Sequence, residues 1–178
     1  MRITVDGQDV ERTQYATQKI LLDTNVLVYA HNRSSPKHHQ ASCILIAAAE
    51  GSINAHISHQ NLLEFYSVMT NPRKVTPSPP IREVQEICID LWESRKIKKI
   101  FAKEKTTIEA LSIATASGLT GAQIFDCAIA LTARDSHVDY VWTENVSDFK
   151  QLDFINAENP LIMNWQLVKD RDRRMWKA

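Results

Sequence analysis

Short apolar runs of strand length alternate with helical patterns along most of this chain, and this order restricts the fold more than any other feature. Strands are predicted at KILLD, SINAHIS, IKKIFA and DYVWT, and helical patterns fill the intervals between them. Strands that are joined through helices pair in parallel, because the helix returns the chain to the end of the sheet at which the previous strand began. The sequence therefore predicts an α/β fold with a mostly parallel sheet.

The predicted helices carry either three- and four-residue apolar spacing or an alanine-rich composition. The spacing is clearest in IREVQEICIDLWESRK, where Ile81, Val84, Cys88 and Leu91 recur on one face. The other predicted helices are PKHHQASCILIAAAE, HQNLLEFYSVMTN, KTTIEALSIATASG and IFDCAIALTARD. The last of these is apolar all round and is expected to be buried.

At 178 residues the chain has the length of one ordinary domain with a substantial core. Its patterns divide it into an N-terminal extension at 1–18, a domain at 19–165 and a charged C-terminal tail at 166–178. Three small elements complete the prediction, namely a short strand at RITV, a loop at NVSDF and a short strand from Pro160 to Met163.

Charge and cysteine content exclude several classes of protein. Lys and Arg total 21 and Asp and Glu total 21, so a nucleic-acid partner would need a local basic patch. No apolar run approaches the length of a membrane span, and the polar N-terminus lacks the apolar segment of a signal peptide. Cys43, Cys88 and Cys127 are too dispersed for a zinc site or a disulfide framework, which predicts reduced thiols in a cytoplasmic protein.

Two aspartates lie in segments where a charged side chain is costly. Asp23 in LLDTNVLVYA directly follows the first long strand, and ligand sites in open parallel sheets gather at the carboxyl ends of strands. A helix-capping role explains Asp23 equally well. Asp126 in IFDCAIALTA has only apolar residues on its own helix face, so no basic partner is in reach along the helix. A functional role is therefore favoured for Asp126.

Two further acids are less distinctive when taken singly. Glu64 in NLLEFYSVM fits a solvent-facing position on a helix, and Asp148 in WTENVSDF fits a turn. Glu144 is close to Asp148 in the chain and is an alternative to it. Acids that follow strands and acids near helix starts could converge on one edge of the sheet. Such a set of carboxylates suits a hard cation such as Mg²⁺ and the hydrolysis of phosphodiesters.

These segments resemble the PIN domain family of ribonucleases, and in particular the toxins of VapBC toxin–antitoxin pairs. The resemblance runs from about Lys19 to about Met163. It rests on LLDTNVLVYA, on the Pro and His before an Ala-rich helix in PKHHQA, on SHQNLLEFYSVMTNP, on FDCAIALTA and on TENVSDF. It implies a three-layer PIN-like fold in which helices flank a mostly parallel central sheet.

The resemblance also implies an activity and a set of roles. A ribonuclease of this kind uses Mg²⁺ or Mn²⁺ to direct water at the RNA phosphate, leaving a 5′-phosphate and a 3′-hydroxyl. The implied catalytic residues and metal ligands are Asp23, Glu64, Asp126 and Asp148, and the implied supporting residues are Thr24, Asn25, Thr143 and Asn145. The implied partners are an RNA substrate, a cognate antitoxin and a second copy of the chain in a homodimer, with no membrane.

Several other features have both an ordinary and a functional explanation. The run RKIKKIFAKEK at 95–105 and the tail segment KDRDRRMWK are typical of solvated charged surfaces, although either could contact RNA phosphates. His56 and His59 lack a third metal ligand and are predicted to be structural or surface residues. Trp92 is predicted to lie in the core, although an apolar stripe on its helix would also suit a dimer or antitoxin surface.

Two other functions compete with RNA hydrolysis. The fold could serve as a free-standing RNA- or protein-binding module with weak or lost nuclease activity, and the extra length at both ends is compatible with a protein that has no antitoxin. Such a module has no need of four acids in apolar segments. A phosphotransfer enzyme of the haloacid-dehalogenase kind would need a second aspartate two residues after Asp23, where this chain has Asn25.

Overall fold

A computed structural model describes residues 2–168 of the chain. The strands of this part are β1 (Arg2–Val5), β2 (Gln8–Asp9), β3 (Lys19–Leu22), β4 (Asn54–Ser58), β5 (Lys98–Ile100), β6 (Tyr140–Trp142), β7 (Asn156–Glu158) and β8 (Trp165–Val168). The α-helices are α1 (Thr24–His31), α2 (His38–Glu50), α3 (His59–Met69), α4 (Ile81–Glu93), α5 (Thr106–Ser117), α6 (Gln123–Asp135) and α7 (Val146–Phe149). Short 3-10 helices lie at Val10–Arg12, Gln14–Ala16 and Pro160–Ile162.

Five strands form a parallel sheet in the order β5-β4-β3-β6-β7, which places β3 at the centre. Ile20 and Leu22 pack into a core cluster with residues of α1 to α4, whereas Leu21 packs into a second cluster with α5, α6 and α7. Both faces of β3 are therefore covered, which explains its unbroken apolar sequence. The predicted three-layer α/β fold with a parallel central sheet is confirmed.

A second, antiparallel sheet joins the two ends of the described chain. Its order is β2-β1-β8, and β1 pairs along its whole length with β8. Ile3 and Val5 of β1 are buried in the same cluster as Ile20, and the Trp165 ring is buried with its Nε1–H donating to the Pro160 carbonyl at 2.9 Å. Residues 2–10 are thus packed onto the central domain. The predicted strand at RITV is confirmed.

Three local predictions were wrong. Pro160–Ile162 forms a 3-10 helix rather than a strand, because the Asn159 side chain accepts a hydrogen bond from the Leu161 N–H at 3.0 Å and Pro160 fits a first helical turn. NVSDF contains the one-turn helix α7 rather than a plain loop. The first turn of α6 is not fully buried, since Phe125 is 57% exposed and Asp126 is half-buried.

Two helix boundaries follow from side-chain chemistry in the sequence. Gly51 ends α2 with a φ of +81°, a conformation that is strained for residues with a Cβ, and the sequence predicted this stop. Ser58 caps α3 by accepting a hydrogen bond from the Asn61 N–H at 3.1 Å. Within residues 2–168, no helix has the length and apolar character that crossing a membrane requires.

Candidate active site

Asp23 lies between β3 and α1, at the carboxyl edge of the parallel sheet. Its backbone is extended, and its Oδ1 accepts a hydrogen bond from the Thr24 N–H at 2.7 Å, so it does cap α1. Its Oδ2 accepts two further hydrogen bonds, from Asn25 Nδ2 at 2.8 Å and from Thr143 Oγ1 at 2.7 Å. The residue is only 9% exposed. Capping alone does not require this second set of donors.

Thr143 and Asn25 are held in place by their own hydrogen bonds. Thr143 follows β6, is fully buried, and its Oγ1 accepts hydrogen bonds from Asn25 Nδ2 at 2.9 Å and from the Asn145 N–H at 3.0 Å. The Asn25 side-chain oxygen accepts one from the Glu144 N–H at 3.2 Å. The loop after β6 is thereby fixed against the start of α1, with Asp23 between them.

Glu64 reaches the same region from the second turn of α3. Its Oε2 accepts a hydrogen bond from Thr24 Oγ1 at 2.9 Å and its Oε1 accepts one from Gln60 Nε2 at 2.9 Å. Gln60 Nε2 also lies 3.4 Å from the carbonyl oxygen of Phe125, which links α3 to the start of α6. Glu64 is half-buried and therefore does not occupy the solvent-facing position that would explain it without a function.

Asn61 is a buried site residue that the sequence analysis missed. Its side-chain oxygen accepts hydrogen bonds from the N–H and the hydroxyl of Ser58, at 3.2 Å and 2.7 Å. Its Nδ2 donates to Thr24 Oγ1 at 3.3 Å and lies 3.5 Å from Asp23 Oδ1. The spacing of Ser58 and Asn61 matches a capping box, a signal that identifies Asn61 as part of the α3 cap but not as a neighbour of Asp23. Asn61 connects the cap of α3 to Asp23.

Asp126 lies in the first turn of α6, close enough to the other acids for their negative charges to affect its pKa. Its pKa is raised to about 6, first by burial and then by the negative charges of Asp23, Asp148 and Glu64. Burial also raises the pKa of Asp23, and the charges of Glu64 and Asp148 add to this, while hydrogen bonds from Thr143 and Thr24 oppose it. The carboxylates therefore destabilise one another's charged forms.

Asp148 and Glu144, the two candidates for the fourth acid, have different surroundings. Asp148 is half-buried on α7, and its charge acts on both Asp23 and Asp126. Glu144 instead forms an ion pair with Lys37 and accepts a hydrogen bond from the Tyr29 hydroxyl. Because the negative charge of Glu144 is already paired, this arrangement favours Asp148 as the fourth member of the cluster.

An open cleft with a volume of about 330 Å³ lies over Asp23, Glu64 and Asp126. Its lining residues are Asp23, Thr24, Asn25, Val28, Tyr29, Glu64, Val68, Lys74, Asp126 and Asn145. None of the four acids forms an ion pair with a basic side chain of residues 2–168. In the same part of the chain, no three His, Cys, Asp or Glu side chains are grouped closely enough to enclose a metal ion by themselves.

The sequence of residues 20–155 matches the family model of the PIN domain. This chain belongs to the PIN domain family. The matched range includes Asp23, Glu64, Asp126 and Asp148, and it leaves out the small antiparallel sheet formed by β1, β2 and β8.

Known proteins are similar to most of this chain. Ribonuclease VapC24 of Mycobacterium tuberculosis is 29% identical over 140 residues, which cover 79% of this chain and 95% of that one. The structure of VapC20 from the same species, described as a sarcin-ricin loop cleaving toxin, matches with a TM-score of 0.61 at 11% identity and covers 79% of this chain and 99% of that one. VapBC2 from Rickettsia felis, bound to a promoter DNA fragment, matches with a TM-score of 0.56 at 24% identity, covering 80% of this chain and 98% of that one. Both structures bear out the PIN fold.

Most of the basic run at 95–105 is engaged within the PIN domain. Lys99 donates to the carbonyl oxygens of Ser94 and Ile97, Lys98 donates to Asn54 Oδ1 at 3.0 Å, and Lys103 and Lys105 approach Asp135 at 3.8 Å and 3.9 Å. These contacts agree with the ordinary explanation of the run as a charged surface. The basic tail segment KDRDRRMWK lies outside the described residues.

The remaining aromatic and histidine predictions had mixed outcomes. His56 is buried, with Nδ1 3.0 Å from the Asn54 carbonyl oxygen, and His59 is exposed, so both are structural or surface residues as expected. Trp92 was predicted to be a core residue, but it is only half-buried and packs edge-on against the exposed Phe101 ring.

Proposed function

We propose that this PIN domain protein is a metal-dependent endoribonuclease and the toxin of a toxin–antitoxin pair. The observation that carries the proposal is the cleft at the carboxyl edge of the sheet, which Asp23, Glu64 and Asp126 line. The charge of Asp148 acts on Asp23 and Asp126, and none of the four acids forms an ion pair with a basic side chain of residues 2–168. The similarity to Ribonuclease VapC24 over nearly all of that protein supports RNA as the substrate.

The residues of the cleft fit Mg²⁺ or Mn²⁺. Carboxylate oxygens are the ligands that hard cations prefer, and a divalent charge would offset both the burial and the repulsion that raise the pKa of Asp126. Mg²⁺ commonly binds through one or two carboxylates and keeps several waters, which agrees with the open grouping of the acids. Asp23, Glu64, Asp126 and Asp148 would hold the cation, directly or through water. When bound, the cation supplies a more acidic water and stabilises charge on the phosphate.

The neutral residues of the site orient the acids. Thr143 and Asn25 fix Oδ2 of Asp23, and Thr24 and Gln60 each fix one oxygen of Glu64. Hydrogen bonds on both oxygens restrict rotation of each carboxylate, so the negative potential of the cleft is preorganised before substrate arrives. The RNA phosphate would enter the cleft over these carboxylates, with water directed in line with the leaving oxygen.

The partners in this proposal are an antitoxin and a second copy of the chain. Solved structures of VapBC complexes, including one from Salmonella typhimurium bound to DNA, match this chain in fold and support an antitoxin partner. Large apolar side chains are exposed on α3 and α5, among them Leu63 at 68% and Ile108 at 68%. Exposed apolar area of this kind suits a homodimer. A cytoplasmic location agrees with the three free cysteines.

RNA cleavage in the presence and absence of metal tests this function. The purified protein is incubated with structured RNAs and Mg²⁺ or Mn²⁺, with a chelator as the metal-free control, and the Asp126→Asn variant is assayed in parallel. We expect metal-dependent cleavage by the wild type and loss of cleavage in the variant.

Two results would contradict the proposal. Undiminished cleavage by Asp126→Asn would remove Asp126 from the site. Absence of cleavage by the wild type with every metal, together with retained RNA binding, would favour a binding module with lost nuclease activity.

A further inference from the structure

One wall of the acidic cleft carries a basic side chain. Among the residues of the described chain that line the cleft, Lys74 alone is basic, and it shares the cleft with Asp23, Glu64 and Asp126. No carboxylate oxygen of residues 2–168 lies within 4.0 Å of its ammonium nitrogen. A lysine that served only to neutralise these acids would be expected to pair with one of them.

The turn that carries Lys74 is well fixed. The carbonyl oxygen of Asn71 accepts hydrogen bonds from the N–H groups of Lys74 and Val75, at 2.9 Å and 3.0 Å, and the Asn71 side chain accepts one from the Arg73 N–H at 2.9 Å. Val75 is 2% exposed and belongs to the main core cluster. The turn is thus anchored on both sides of Lys74, which gives its side chain a defined starting point beside the cleft.

The cleft therefore presents negative carboxylates and a separate positive charge to the same volume. A phosphodiester group carries one negative charge, so the carboxylates alone repel it and an ammonium group attracts it. A lysine acts on phosphate as a point charge and needs no bidentate geometry. A phosphate between a cation held by the acids and the ammonium group of Lys74 would have favourable charges on both sides.

We propose that Lys74 binds the scissile phosphate of the RNA and positions it over the acidic cluster. This inference rests on the proposed ribonuclease function. Arg73 provides a matched control, because it lies on the same turn and is exposed but does not line the cleft. A general attraction between RNA and the basic turn would involve both residues, whereas a phosphate site in the cleft involves Lys74 alone.

The test compares Lys74→Gln, Lys74→Arg and Arg73→Gln. Steady-state cleavage of a single-stranded RNA oligonucleotide gives KM and kcat. Fluorescence anisotropy at several salt concentrations gives the dissociation constant, measured in an Asp126→Asn background so that the RNA stays intact.

We expect Lys74→Gln to raise KM and the dissociation constant by about 10-fold, as the loss of one charge-assisted contact predicts. The slope of log affinity against log salt should fall by about 0.7, since one fewer phosphate is neutralised on a single strand. Lys74→Arg should restore most of the affinity, and Arg73→Gln should change the dissociation constant by less than about 2-fold.

Four results would overturn the assignment. Equal losses of RNA affinity in Lys74→Gln and Arg73→Gln would mean a general electrostatic attraction between RNA and the basic turn instead of a phosphate site. A lower melting temperature in Lys74→Gln with an unchanged salt slope would mean a structural role. Unaltered cleavage by Lys74→Gln, when the wild type is active, would reject the inference and leave the ribonuclease function standing, whereas an inactive wild type would reject both.

Discussion

Two groups of acidic side chains in this protein have opposite electrostatic surroundings. In the cleft, Asp23 and Asp126 have neutral hydrogen-bond donors or other acids as neighbours, and the pKa of each is raised. Between α5 and α6, Arg134 binds Glu109 through two hydrogen bonds, at 2.6 Å and 2.9 Å, and Asp135 at 2.8 Å. The hydrogen bonds from Arg134 lower the pKa of Glu109 and of Asp135.

The difference separates acids that stabilise the fold through ion pairs from acids that have no ion-pair partner among residues 2–168. In the Arg134 cluster each carboxylate has a basic partner, since Arg134 pairs with both and Lys103 and Lys105 also approach Asp135. In the cleft, hydrogen bonds fix the carboxylates of Asp23 and Glu64, but no ion pair compensates the repulsion among the acids, an arrangement that is typical of functional sites. Residue type alone does not distinguish the two groups, because both consist of aspartate and glutamate.

The largest expected effect comes from neutralising one aspartate in each group. Asp23→Asn should reduce RNA cleavage by about 100-fold or more, since loss of a metal ligand should cost at least as much as loss of its supporting contacts. Asparagine is also a good helix cap, so α1 should keep its stability. Asp135→Asn should leave cleavage within about 2-fold of the wild type and lower the melting temperature instead.

Cleavage rates and thermal melts of both variants make this test. If Asp23→Asn stayed active and lost stability, Asp23 would be a cap and nothing more. If Asp135→Asn lost activity at full stability, the distinction between the two groups would fail.

A smaller effect is expected from Thr143, which donates a hydrogen bond to Asp23 at 2.7 Å. Thr143→Val removes the hydroxyl at nearly constant volume and should lower kcat/KM by about 10- to 100-fold, the usual cost of a supporting contact at a metal site. Thr143→Ser keeps the hydroxyl and should retain most of the activity. Equal activity in the Val and Ser variants would show that the hydroxyl does not orient Asp23.

Asp126→Asn should stabilise the metal-free protein at pH 7. The pKa of Asp126 is raised from 3.8 to about 6 in the folded chain, so the native state binds this proton more tightly than the unfolded state. The resulting stabilisation is complete below pH 3.8 and is lost as the pH rises through about 6. Neutral asparagine removes the penalty at pH 7, on the order of 1 kcal/mol after allowance for solvent screening.

Thermal melts in a chelator measure this effect, with Asp90→Asn on the exposed face of α4 as the control. The expected rise for Asp126→Asn is about 2–4 °C, with no change for Asp90→Asn. Mn²⁺ should raise the melting temperature of the wild type more than that of Asp126→Asn. A lower melting temperature for metal-free Asp126→Asn would mean that Asp126 already has a favourable partner.

The smallest effect is expected on the pH dependence of stability, from the ion pairs of Arg134 with Glu109 and Asp135. The pKa values of Glu109 and Asp135 are lowered in the folded state. Their contribution to the free energy of unfolding is therefore present above the ordinary pKa of a carboxyl group and is lost as the pH falls through the lowered values. Arg134→Gln should lower the melting temperature by a few degrees at pH 7 and by less at pH 3. An equal loss at both pH values would mean that Arg134 acts through packing against Phe154, over whose ring it lies.

Sequence reasoning succeeded where one local signal dominated. The short apolar run in KILLD indicated a strand, and Gly51 marked the end of α2 because glycine adopts its positive φ without strain. It failed at Pro160–Ile162, where an asparagine cap outweighed an apolar run that is too short to separate strand from helix. It missed Asn61 because nothing in a capping box indicates which side chains the asparagine reaches.

By itself, the sequence determined the alternation of strands and helices, and through it the parallel sheet and the position of Asp23 at the carboxyl edge. These follow from apolar periodicity and chain connectivity, which are local properties. The packing of distant elements brings Asp23, Glu64, Asp126 and Lys74 to one cleft, pairs Glu144 with Lys37 and sets Asp148 near Asp23, none of which local patterns predict. Charges interact through space, and α3, α6 and α7 bring together side chains that lie far apart along the chain.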